Sequence, residues 1–498
     1  MQIKSKNYYF YRLLEMIPGV LVWVTFAAAI LLSIYRPIVA IYFIIIFDVY
    51  WFTRISYLLV YLLISWFKYH RLKSVDWMTK LKAYQKLNWL NYQHLVFLPT
   101  AGESLEVVDL TFQRLSELDY DLKKLTIILG GEQRIGEQFL TVAQQIEAKY
   151  AGIFNKIIIT VHPQNVAGEM TGKGSNMNFA GRQAKKYVDQ QGWDYARVIV
   201  SCFDIDTLVD RQYFSYLTYE YITTDRPTHY SYQPLALYHN NIWESNFITR
   251  VVANGTTFWL LTDMARSERL FTFSSHSMSF ETLVNVGFWQ NDIVTEDSRI
   301  FLQCFIYYNG DYYVKPLYIA VSMNTVYMGK LWRSLINQYK QMRRWAWGVE
   351  HFPYMVWNFV KRRQIPFLKK LRYLWNQTEG VYSWATAPIL IFLLGRLPLY
   401  FAERTNQTNV IAQQAPYILE FMMTIGMVGL VITAVFSTFL LPQKPQKHLW
   451  LKYIIMVVQW IVFPITMILF GSIPATDAQT RLMLGGRWRL GFWVTEKK

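Results

Sequence analysis

Three short stretches of this 498-residue chain carry side chains suited to chemistry. Asp204-Ile205-Asp206 sets two carboxylates two residues apart, which on a strand edge point the same way and can hold a divalent metal against a diphosphate. Thr295-Glu296-Asp297 offers an acid, Asp297, able to take a proton from an attacking hydroxyl. In Gln341-Met342-Arg343-Arg344-Trp345, a helix would place Gln341, Arg344 and Trp345 on one face, at i, i+3 and i+4. Arg344 can pair with phosphate there, and Trp345 gives a sugar ring a flat apolar surface. Each stretch also has a plainer reading. Paired acids after a strand can cap a helix, Thr295 can do the same, and tryptophans beside apolar spans often anchor at a membrane interface, as Trp347 would.

The elements that must position these residues alternate between about 90 and 330. Apolar strands are expected at 94–99, 125–129, 156–161 and 197–201, with helices at 106–118 and 137–149 between them. That rhythm predicts an α/β domain built on a mostly parallel sheet, whose ligands bind beyond the carboxyl ends of the strands. Asp204 and Asp206 follow one such end.

Composition places this domain at a membrane. The chain is 53% hydrophobic and 17% aromatic, and 17–35 and 38–67 are apolar runs joined at Tyr35-Arg36-Pro37. Each is near or above the roughly 20 residues that cross a bilayer as helix. They form a hairpin rather than a cleavable signal. Further spans are expected at 380–401 and 416–441, with a basic interfacial helix at 361–374 before them. The 449–474 run carries Pro464 and has lysines and arginines on both flanks, which argues for a bent or re-entrant segment returning the C-terminus to the cytoplasm. The net charge of +16 gathers beside the spans, as at Lys68, Arg71 and Lys73, so it speaks for topology and against nucleic acid. Cys202 and Cys304 read as buried free thiols. The expected organisation is a transmembrane hairpin (1–70), a cytosolic domain (71–360), an interfacial helix (361–378), a transmembrane bundle (379–475) and a cytosolic tail (476–498).

In order along the chain, five motifs resemble those of membrane-embedded family 2 glycosyltransferases, the group that includes cellulose, hyaluronan and poly-N-acetylglucosamine synthases. They are Phe97-Leu98-Pro99-Thr100-Ala101-Gly102-Glu103, Lys173-Gly174-Ser175-Asn176-Met177-Asn178, the Asp204/Asp206 pair, Thr295-Glu296-Asp297 and Gln341 with Arg344-Trp345. The resemblance implies a GT-A fold, Rossmann-like, flanked by transmembrane helices in the inner or plasma membrane with the catalytic domain cytoplasmic. It implies inverting transfer from a nucleotide-diphosphate sugar, UDP-linked, to a growing β-glycan, with single transfer to a lipid acceptor or an inactive scaffold as rivals.

Residue by residue, it implies a donor site of Thr100, Glu103, Glu132, Lys173, Asn176 and Asp204. Asp204 and Asp206 would bind Mg2+ or Mn2+, and Asp297 would be the base. Gln341, Arg344 and Trp345 would meet acceptor and diphosphate. Phe492, Val494, Thr495 and Lys497 would form a gating-loop-like tail. The chain departs from the family at Ala101-Gly102, where an aromatic and an asparagine are usual, and at Thr207, where a histidine is common. Glu132 could equally be a solvated loop acid, and His276 a structural histidine.

Overall fold

The computed structural model describes residues 5–405, 410–442 and 449–491. Its centre is one sheet of eight strands: β1 Gln93–Pro99, β2 Leu125–Glu132, β3 Lys156–His162, β4 Val198–Cys202, β5 Leu208–Val209, β6 Tyr230–Tyr238, β7 Ser277–Ser279 and β8 Tyr313–Met323. The order is β3-β2-β1-β4-β7-β6-β8-β5. β1 to β4 run parallel, β7 enters antiparallel between β4 and β6, and β6 and β8 are again parallel. This is the mostly parallel α/β sheet expected, with β1 to β4 at the predicted places.

β1 shows why these segments become central strands. Leu95 and Phe97 point to one face of the sheet, where they meet the Lys173–Gln191 and Glu296–Tyr307 helices; Val96 and Leu98 point to the other, against Phe112, Phe139 and Phe214. All eight residues of β2 are buried. Strands covered on both faces need continuous apolar runs, and these have them. β6 and β8 lack that signal because each carries a proline. The β6–β8 register shifts at Pro234/Leu235, where Pro234 cannot donate to the ladder.

Among the described residues, five helices are long and apolar enough to cross a membrane: Asn7–Tyr35, Pro37–Lys73, Phe367–Arg404, Gln413–Phe436 and Tyr453–Leu484. The stretch read as an interfacial helix is the opening of the Phe367–Ile389 helix, which continues through a π-turn into Leu397–Arg404. Phe367, Leu368, Leu371 and Trp375 are exposed along it, while Lys369 bonds the Gly310 carbonyl and Tyr313 hydroxyl, both at 2.9 Å. The last segment is helical from Leu449 to Leu484, tightened to a 3-10 turn just before Pro464 and loosened to a π-turn at Met467–Ser472. Near its start Tyr453 packs on Trp243 of the α/β domain. At its end the Leu482 carbonyl accepts from Arg12 at 2.7 Å, beside Tyr11, whose ring meets Trp357 of the same domain. Both ends are thus tied to the domain, one directly and one through the first helix. Between them Phe470 packs with Val252 and Met342, and Ile454, Ile455, Val458, Ile461 and Ile465 stay exposed as an apolar stripe.

Two glycines let the carboxyl edge of β2 close up. A Cβ on Gly130 would fall 2.6 Å from Asn176 Oδ1, and one on Gly131 would fall 2.3 Å from the Phe139 ring. Gly131→Ala should therefore destabilise the domain by about 1–3 kcal/mol through overpacking. A lowered thermal midpoint in detergent checks this, and an unchanged midpoint would contradict it.

Candidate active site

Three loops meet at the carboxyl end of β4. The chain leaves the strand with the Phe203 amide on the Phe97 carbonyl (3.0 Å) and turns so that the Thr207 amide reaches the Asp204 carbonyl (2.9 Å). Asp204 and Asp206 thus sit in a turn rather than on a strand edge, and their carboxylates take different partners. Asp204 Oδ1 accepts from Lys173 Nζ at 2.8 Å, whereas Asp206 is buried and its Oδ2 accepts the Asn324 amide at 3.0 Å.

Lys173 opens its helix directly after Gly172 (φ +149°), and Gly174 lies close under Gln290 and Glu296. The same ammonium reaches Asp297 Oδ2 at 2.7 Å, with Glu296 Oε1 4.0 Å away. Burial alone would pull the lysine down, but Asp204 and Asp297 hold it well above its ordinary value. Glu296 is pushed up to about 8 by its burial and by the neighbouring Asp297 charge. Asp297 Oδ1 is buried with no hydrogen-bond partner. His276 stands 3.9 Å from it, held by the Phe273 carbonyl at 2.8 Å, and burial lowers its pKa.

The Asp297 helix is fixed from the membrane side. Thr295 occupies the N-cap position, yet its hydroxyl donates to Glu350 Oε1 at 2.5 Å instead of capping the helix. Trp347 is buried and donates to the other Glu350 oxygen at 3.0 Å, so it is no interface anchor. Glu350 lies just beyond the Leu331–Ala346 helix that bears Gln341, Arg344 and Trp345. Trp345 packs on Tyr238 at 5.5 Å, and Gln341 is buried beside Gln338. Arg343, from the same motif, turns away to Asp477 Oδ2 at 2.9 Å. Asp477 also takes Tyr339 and Arg481, which clamps this helix to the last membrane segment.

A model of glycosyl transferase family group 2 matches residues 199–474, more than half of the chain. The chain belongs to that family. Solved structures similar to this glycosyltransferase include a mannosyltransferase from Pyrobaculum calidifontis in complex with GDP-Man and Mn2+, at 14% identity and TM-score 0.44, covering 82% of this chain and 99% of that one. Another is TarS residues 1–349 of S. aureus in complex with UDP-GlcNAc, at 13% identity and TM-score 0.33, covering 66% of this chain and 90% of that one. No curated protein sequence matches the chain.

Within the glycosyltransferase, the residues expected at the donor end have structural duties along one sheet edge. The Thr100 hydroxyl (3.2 Å) and the Asn176 side-chain amide (3.0 Å) both donate to the Gly130 carbonyl, tying β1 and the Lys173 helix to β2. Glu103 accepts the Ala101 amide at 2.7 Å, across the stretch where the family's usual aromatic is missing. Glu132 is buried and gripped by Arg134 at 2.6 and 3.2 Å, so it is not a solvated loop acid. The tail positions Phe492, Val494, Thr495 and Lys497 lie outside the described residues.

Tyr238 is a site residue that sequence reasoning missed. Half-buried at the end of β6, it has its hydroxyl pKa raised first by desolvation and then by Asp204 and Asp206, with Arg344 opposing. A lone tyrosine closing a proline-broken strand gave no signal. Glu350 was missed as well, since nothing in the sequence pairs it with Thr295.

Thr295→Val removes one donor from the buried Glu350 carboxylate, at a cost of about 1–3 kcal/mol. The expected result is a lower thermal midpoint together with slower turnover at unchanged donor KM. Wild-type values for both would contradict the link.

Proposed function

We propose that this glycosyltransferase transfers a hexose or N-acetylhexosamine from a UDP-linked donor, with inversion, to a hydroxyl of a growing β-glycan at the membrane face. The observation that carries the reading is the state of Asp297. One of its oxygens is neutralised by Lys173, while the other is buried with no hydrogen bond, 3.9 Å from His276. A proton acceptor held that way suits a single displacement. The acceptor oxygen forms its bond to the anomeric carbon, the bond from that carbon to the diphosphate breaks, and the acceptor proton passes to Asp297. No second carboxylate is needed to activate the donor, because diphosphate is already a good leaving group.

Charge on the departing diphosphate falls to Lys173 and Arg344. A divalent cation fits this edge only in company. Asp204 and Asp206 offer hard oxygens, but among the described residues no third His, Cys, Asp or Glu completes a metal site. Diphosphate oxygens and water would fill the remaining positions of Mg2+ or Mn2+, which then adds neutralising charge at the leaving group. Trp345 on Tyr238 forms an aromatic floor for the acceptor sugar. The basic flank Lys68, Arg71, Lys73 supports a cytoplasmic catalytic domain and a plasma or inner membrane location.

The test is a donor screen on purified protein in nanodiscs with UDP-glucose, UDP-N-acetylglucosamine, UDP-galactose and GDP-mannose, with products sized by mass spectrometry. One UDP-sugar should release UDP and give a ladder of products, and Asp297→Asn should slow release by about 10²–10⁴-fold. A single lipid adduct would replace the glycan reading with glycolipid synthesis. Equal behaviour of Asp297→Asn and wild type would favour a scaffold that keeps the fold without the chemistry. Chelation with EDTA should abolish transfer, and Mg2+ or Mn2+ should restore it. Full activity in EDTA would remove the metal from the account.

A further inference from the structure

The site carries a cation of its own. Lys173 Nζ lies 2.8 Å from Asp204 Oδ1 and 2.7 Å from Asp297 Oδ2, a bridge between the carboxylate on the metal side and the base. Its side chain is only 13% exposed, so water screens the pair weakly. The backbone beneath it is held in place: a Cβ on Gly174 would fall 2.8 Å from the Gln290 carbonyl, and Asn176 is tied to Gly130. The flexible lysine stem is therefore the part that can move. A divalent ion arriving alone at Asp204 would face this ammonium at close range with nothing to offset the repulsion. A diphosphate brings the missing negative charge.

Resting on the reading of Asp204 as the metal-side carboxylate, we propose that Lys173 holds the cation position until donor binds, so that the divalent metal enters only together with the nucleotide diphosphate. On their arrival the ammonium moves from the two carboxylates to the diphosphate oxygens. Asp204 is released to the metal and Asp297 to the acceptor hydroxyl, so the base is uncovered only when a donor is present. No covalent bond changes in this exchange of ion pairs.

The order of binding is read from the free Mn2+ signal in electron paramagnetic resonance, on full-length protein in nanodiscs, with Mn2+ titrated alone or with saturating UDP or GDP. Wild type should bind Mn2+ at least about tenfold more tightly with one nucleotide than without. Lys173→Met and Lys173→Gln should bind Mn2+ without nucleotide at least about tenfold more tightly than wild type does. Lys173→Arg, which keeps the charge, should behave as wild type, and Asp204→Asn should lose the site in every condition.

Wild type binding Mn2+ equally well with and without nucleotide, through Asp204, would overturn the order while leaving the transferase reading intact. Neutral Lys173 variants no better than wild type without nucleotide would overturn it too. Absence of Asp204-dependent Mn2+ binding under all conditions would instead remove the metal from the proposed function. If the neutral variants do not fold, the wild-type comparison decides the order once Mn2+ held by nucleotide in a protein-free control is subtracted.

Discussion

A single ammonium joins the three segments that make up the reactive centre. Lys173 begins a helix on one face of the sheet, Asp204 lies past the end of β4, and Asp297 opens another helix 124 residues further along the chain than Lys173. Bringing two carboxylates and a third acid, Glu296, together in a buried place is unfavourable unless a cation lies among them. The lysine is that cation, and the surrounding sheet edge is shaped to keep it there. Gly174 allows the helix start to press on Glu296, and Gly130 receives the ties from Thr100 and Asn176.

The membrane elements are part of the same construction. Glu350 connects the Asp297 helix to the Gln341–Trp345 helix through Thr295 and Trp347, and Asp477 fastens that helix to the last apolar segment through Arg343. Arg12 and Arg489 meet at Glu15, so the first and last apolar segments are locked side by side. These ion pairs couple the position of the final segment to that of the helix bearing Trp345.

Much of the fold was legible because its signals are local. β1 to β4 are unbroken apolar runs, and the apolar helices announce themselves by length. The rest depends on partners distant in the chain. Pro234 and Pro316 interrupt β6 and β8, which pair with each other and so need no alternation that could be read alone. Glu132, expected at the donor, could be read as a loop acid as well because its cover, Arg134, is itself a polar loop residue. Trp347 looked like a membrane anchor until its indole found Glu350. For the site, residue types and order were readable, whereas the Lys173–Asp297 pair and Tyr238 emerge only once the sheet has brought them together.

The claim on which the account turns is direct displacement by one base, without a covalent sugar–enzyme intermediate. The most direct measurement is the anomeric configuration of the first product from an α-linked UDP-sugar, read by proton NMR. A β-linkage, with its large H1–H2 coupling for a gluco-configured sugar, is the predicted result. An α-linked product would mean retention and would contradict direct displacement by one base.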